Sequence, residues 1–88
     1  MKSNVFEQIG FSREEAAALK MKSELHSQIV KAIKRKGYTQ AELQKRLDES
    51  QPRISDLMTG KISKFSLETL INYAEALGLR PQILVEAR

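Results

Sequence analysis

The stretch Thr39-Gln40-Ala41-Glu42-Leu43-Gln44-Lys45-Arg46-Leu47-Asp48-Glu49-Ser50-Gln51-Pro52-Arg53-Ile54-Ser55-Asp56-Leu57-Met58-Thr59-Gly60 contains two helix-start signals with very little chain between them. Thr39 followed three residues later by Glu42 is a capping box: the hydroxyl accepts from an exposed N–H and the carboxylate reaches back to the cap N–H. Ala41, Leu43 and Leu47 supply apolar contacts for this first short helix. Asp48-Glu49-Ser50 follows as a tight turn. Ser50 caps a second short helix, with Pro52 in its first turn, where a missing N–H costs little. That helix ends before Gly60.

Outward from this pair the signals stay helical. Ser12-Arg13-Glu14-Glu15 is another capping box, opening a helical pattern that runs to Lys36. Met21, Leu25, Ile29, Ala32 and Ile33 share one face, and Gly37 is the stop after a basic last turn. The pattern leaves open whether this long helix is continuous or broken near Lys20–Ser23. On the other side, Ser66 caps a helix carrying Leu67, Leu70, Ile71, Ala74 and Leu77, with Gly78 as its stop. Arg80–Arg88 changes character: Pro81 cannot continue a helix, and Gln82–Glu86 favours a strand. No second strand exists to pair with it, so Ile83, Leu84 and Val85 are read as a dimerisation strand pairing with its copy across a two-fold axis. The other possibility is a tail packed flat on its own helices. The first eleven residues hold Val5, Phe6, Ile9 and Phe11 at near-helical spacing, with Gly10 as a break. They read as a short helical turn or a docking arm.

The expected fold is therefore all-α, four or five helices with a short C-terminal strand. A length of 88 residues suits one domain, divided into an arm at 1–11, a core at 24–78 and the strand at 80–88. So short a chain buries only about 60% of its unfolded surface, and a partner subunit would enlarge the core. There is no Cys, which removes disulfides and thiolate metal sites and agrees with a reducing cytoplasm. The longest apolar runs, Ala16–Leu19 and Ile83–Val85, are far too short to span a membrane. Composition also argues against an enzyme. His26 is the only histidine; with no Cys and no Gly-rich phosphate loop, the usual nucleophile–base pairs and zinc sites cannot be assembled, and nothing points to the carboxylate-only catalysis that composition leaves open. No cofactor is expected. His26 itself reads as a solvent-facing helix residue, and Tyr38 and Tyr73 as packing residues.

The net charge is +4, and it is local. Lys22, Lys31, Lys34, Arg35 and Lys36 face Glu24 alone within residues 21–37, whereas the segment 1–20 is neutral. A basic patch points to a polyanion such as nucleic acid. It is equally what the C-terminal end of a helix favours.

Two short helices joined by a three- to four-residue turn make a helix-turn-helix unit. In that unit the first helix braces against the DNA backbone and the second lies in the major groove. The second helix must then be two-sided. At 100° per residue Ile54, Leu57 and Met58 fall on one side. Pro52, Ser55, Asp56 and Thr59 fall opposite, flanked by Gln51 and Arg53. Aromatic residues are only 6%, too few for the stacking platform of a single-strand binder.

The quoted stretch, with Gly60-Lys61 and the continuation Phe65-Ser66-Leu67-Glu68-Thr69-Leu70 to Ala76-Leu77-Gly78, resembles the XRE (Cro/C1-type) helix-turn-helix family. The resemblance implies a lambda-repressor-like bundle that binds double-stranded DNA at a palindromic operator as a homodimer and represses transcription. Val5-Phe6, Ile9-Gly10-Phe11, the long first helix and the C-terminal strand resemble the branch containing HigA-type antitoxins. That branch implies a cognate ribonuclease toxin, for which Val5, Phe6, Ile9 and Phe11 are the expected surface. A stand-alone XRE-family regulator without a toxin is the alternative. Two positions depart from the family pattern: Gln44 stands where a small residue is usual, and Asp48 where Gly usually takes positive φ.

Carried over position by position, the resemblance assigns Gln51, Pro52, Arg53, Ser55 and Asp56 to base reading. It assigns Thr39, Gln40, Ser50, Lys61, Ser63 and Lys64 to phosphates. A glutamine at position 51 can pair bidentately with adenine. Arg53 can reach a guanine edge or a phosphate, or else pair with Asp56 three residues on. Asp56 can accept from a cytosine amine or hold Arg53. The sequence leaves both choices open.

Overall fold

A computed structural model describes Gly10 and residues 12–87. The described residues form four α-helices and one 3-10 turn: α1 (Arg13–Lys36), α2 (Gln40–Leu47), α3 (Gln51–Met58), the 3-10 turn (Ile62–Lys64) and α4 (Leu67–Ala76). Both capping boxes form. Ser12 Oγ accepts from Glu15 N at 3.1 Å while Glu15 Oε1 accepts from Ser12 N at 3.1 Å. The Thr39–Glu42 pair does the same at 3.2 and 2.8 Å. Ser66 caps α4 through Thr69 N at 3.0 Å. Gly37 closes α1 in the left-handed region and donates its N–H to Ile33 O. Helix α1 is one unbroken run of 24 residues.

Burial follows the apolar spacing. Ile29 and Ile33 of α1, Leu43 and Leu47 of α2, Ile54 and Leu57 of α3, and Leu70, Tyr73 and Ala74 of α4 meet Phe65 and Leu77 in one core. Tyr38 packs partly against it, as does Leu79. Helix α1 lies against α4 and the 3-10 turn. Lys36 Nζ donates to Leu77 O at 2.9 Å, capping the end of α4. His26 reaches Leu57 O at the end of α3. The segment between them spans about 15 Å, against about 36 Å for the whole of α1. Met21, expected on the buried face, lies five residues before the His26 contact and is 45% exposed, whereas Ala16, nearer the start of α1, is fully buried.

The strand expected over 80–88 is not formed: residues 80–87 carry no regular structure. A strand needs neighbouring N–H and C=O groups, and no other strand exists among the described residues. The tail does not lie flat on the helices either, since Ile83, Leu84 and Val85 are 70%, 84% and 84% exposed. The arm read at 1–11, with Val5, Phe6, Ile9 and Phe11, falls outside the described residues except for Gly10, whose φ is +99°. No described helix is long and apolar enough to cross a membrane.

Candidate nucleic-acid interface

The turn between α2 and α3 is set by Asp48, at φ 54° and ψ 50°. It is the one described non-glycine residue with positive φ. Aspartate tolerates this region better than most side chains, which explains how the turn forms without glycine. Its N–H and that of Glu49 both return to Gln44 O, so the backbone of Gln44 terminates α2 while its side chain is half-buried. With Leu43, Leu47, Ile54 and Leu57 locked inward, the outer side of α3 has no freedom of rotation. Gln51, Pro52 and Thr59 stand exposed, with Ser55 half-buried beside them. Thr59 Oγ1 donates to Ser55 O at 2.8 Å, so that hydroxyl serves the helix end.

The proposed phosphate residues differ in how they are engaged. Gln40 is exposed at the first position of α2. The Thr39 hydroxyl accepts from Glu42 N and keeps its own hydrogen for an outward acceptor. Glu42 brings a carboxylate to the same helix end. The Thr39 backbone N–H, with help from the hydroxyl contact, holds its carboxyl below the usual range. Ser50 corrects an expectation. It occupies the cap position of α3 but makes no side-chain capping bond. Because Pro52 stands at the start of α3 and no acid occupies the first turn, the Ser50 hydroxyl and the α3 N-terminus carry no internal anion.

Within the chain, Arg53 and Asp56 take other partners than each other. Arg53 does not pair with Asp56. Its Nε lies 3.7 Å from Glu49 Oε1, its Nη1 donates to Lys64 O at 3.0 Å, and its guanidinium sits 4.0 Å from the centre of the Phe65 ring. The turn at Gly60 brings the chain back alongside α3, so Arg53 finds a carbonyl and a ring face there instead. Asp56 turns to the same loop. Lys64 Nζ donates to its Oδ2 at 3.2 Å, and Lys61 Nζ stands 3.6 Å from its Oδ1. The hydrogen bond from Lys64, with both ammonium charges, holds the Asp56 carboxyl below its usual range. Ser63 is exposed in the 3-10 turn between the two lysines. Thus α3 and the loop after it form one preassembled unit.

Two residues, Glu49 and His26, shape this unit without having been read as functional. Glu49 accepts a hydrogen bond from the Tyr73 hydroxyl and also faces Arg53, so it ties α4 to α3. Its spacing of four from Arg53 was the legible signal. His26, expected to face solvent, is half-buried, and its Nε2–H donates to Leu57 O at 2.6 Å. The basic run ending α1 is partly structural, because Lys36 caps α4; Lys31, Lys34 and Arg35 are exposed.

Tyr73 packs edge-on against Phe65, ring centres 5.9 Å apart. Burial, and then the hydrogen bond to Glu49, pushes its hydroxyl up from 10.0 to about 12. The unfolded chain therefore loses this proton first as pH rises. The stability Tyr73 contributes is complete below pH 10 and is lost on the way to about 12. The urea midpoint is expected to fall more steeply over this window in the wild type than in Tyr73→Phe. Parallel curves would show that the Tyr73–Glu49 contact does not govern the alkaline limb.

The family model for the helix-turn-helix domain matches residues 5–86. This chain belongs to the helix-turn-helix domain family. Within it, the type is the XRE-like one. No curated protein matches the sequence. In this chain α2 and α3 are the two consecutive short helices of the motif.

Proposed function

We propose that this helix-turn-helix protein is a sequence-specific, duplex-DNA-binding transcriptional repressor of the cytoplasm, a binding protein and not an enzyme. One observation carries the reading. Helix α3 buries Ile54 and Leu57 completely and turns Gln51, Pro52 and Ser55 outward, with a loop bearing Lys61, Ser63 and Lys64 directly after it. An outward side that is small and polar can enter a major groove, and flanking ammonium groups suit phosphates. The direct test is footprinting on the DNA upstream of its own gene, with a salt titration of duplex against single strands. A protected duplex site is expected, with log K falling linearly with log salt. Equal affinity for single strands and the absence of any footprint would overturn the reading.

The DNA-bound form is a homodimer in this proposal. The exposed Ile83-Leu84-Val85 tail is the pairing segment, since a second copy supplies the neighbouring strand that one chain lacks. Two copies of α3 about 34 Å apart would then read a palindromic operator. Sedimentation equilibrium is expected to show a dimer for the full chain and a monomer for Leu84→Asp; a dimer in both would remove the tail from the interface. The resemblance of the chain ends extends the proposal to an antitoxin that autoregulates its operon and neutralises a ribonuclease toxin. Its toxin surface would be Val5, Phe6, Ile9 and Phe11 in the neutral segment 1–20. A neighbouring small gene, lethal when expressed alone and rescued by this chain, supports that role. Absence of such a gene leaves a stand-alone regulator, and rescue by a chain lacking residues 1–11 moves the toxin surface elsewhere.

A further inference from the structure

Asp56 is anomalous on a surface meant for DNA. It is a carboxylate on the outer side of the recognition helix, and its side chain is only 19% exposed. Each oxygen is occupied by a different lysine of the following loop: Oδ2 by Lys64 at 3.2 Å and Oδ1 by Lys61 at 3.6 Å. Those are two of the cations that a phosphate would need. The backbone reinforces the arrangement, because Asp56 O accepts from Lys61 N at 3.0 Å, and Lys64 O is held by Arg53. The loop is thus fixed to α3 at its main chain, while its two ammonium groups are held only by one carboxylate. A phosphate oxygen and a carboxylate oxygen are alternative acceptors for the same donors.

We propose that Asp56 is a specificity-determining residue that occupies Lys61 and Lys64 in the free protein and must yield them before DNA phosphates can bind. This rests on the duplex-binding reading above. Once displaced, the carboxylate lies at the groove face among phosphates with its lysines gone. Only a base that offers a major-groove amine, N4 of cytosine or N6 of adenine, gives it a partner. At any other base it stays unpaired and repelled, which is costly for a desolvated charge. Sequence-independent duplex therefore meets a competitor at the protein surface, whereas a matching site compensates for the displaced contacts. The carboxylate makes the lysine–phosphate contact conditional on the base beneath it.

The test is a double-mutant cycle on the full chain, using a short duplex of arbitrary sequence and no competitor. Asp56→Asn keeps the side-chain shape and removes the charge. Two exposed ion pairs are lost from the free state, so affinity for this duplex is expected to rise roughly fivefold. The slope of log K against log salt is expected to steepen by about one, because the freed carboxylate no longer gathers a cation in the complex. In a Lys61→Gln/Lys64→Gln background the same substitution is expected to change affinity by less than about twofold. An equal rise in both backgrounds would show a diffuse charge effect and overturn the proposal while leaving duplex binding intact. Failure of the wild type and all variants to bind any duplex at low salt would overturn the duplex reading, and this inference with it. Asp56→Ser repeats the cycle should the Asn variant unfold.

Discussion

Phe65→Ala is expected to lose about 3–5 kcal/mol of folding stability, the largest effect of any single truncation considered for this chain. Phe65 is 1% exposed, among the largest side chains fully enclosed in the molecule. It links three elements. Its ring meets Tyr73 of α4 edge-on, carries the Arg53 guanidinium of α3 on its face, and follows directly on the 3-10 turn. Alanine leaves a cavity that a short, helix-bounded core cannot collapse to fill, and it removes the surface on which Arg53 rests. A domain of this size holds only about 4–13 kcal/mol in total, so the loss is a large fraction of the whole stability. Urea denaturation followed by far-ultraviolet circular dichroism checks this. Phe65→Leu, which keeps most of the volume, is expected to lose markedly less. A loss below about 1 kcal/mol for the alanine variant would show that Phe65 is not the joint between α3, the loop and α4.

Gln51→Ala carries the second large effect. On the proposed function, it is expected to weaken operator binding about ten- to hundredfold with no change in affinity for arbitrary duplex. A bidentate glutamine–adenine pair contributes about 1–3 kcal/mol of discrimination. Gln51 is exposed at the first position of α3, so the variant should keep the wild-type melting curve. Combining it with Arg53→Ala does not give a cleaner test. Arg53 holds Lys64 O, faces Glu49 and covers Phe65, so its removal also loosens the loop. A role for Arg53 at a guanine edge requires those contacts to be released first. Gel shifts on the footprinted site and on a scrambled duplex separate the terms. Retention of full operator preference by Gln51→Ala, folded and dimeric, would remove position 51 from base reading.

The turn of the motif shows what local chemistry determines. Thr39 with Glu42 and Ser12 with Glu15 close rings over three residues. Asp48 takes the left-handed conformation next to the Gln44 carbonyl it uses. None of these needs the rest of the molecule, so each was legible in the order of residues. Ser50 looked like a member of this set, yet its hydroxyl makes no cap. The choice of Asp56 and Arg53 partners was not legible. Position three residues apart on a helix allows them to pair, but the loop after Gly60 returns and offers two ammonium groups to one and a carbonyl with a ring face to the other.

By itself the sequence determined the helices, their starts and stops, the inward side of the recognition helix and the family, because capping and apolar periodicity act within a few residues of chain. Only the tertiary structure decided which polar groups hold one another: His26 with the end of α3, Lys36 with the end of α4, Tyr73 with Glu49, and Asp56 with Lys61 and Lys64. It also decided that the tail stands away from the helices. Long polar side chains have many possible partners along a chain, and most of these pairings join residues that only the packed core brings within reach.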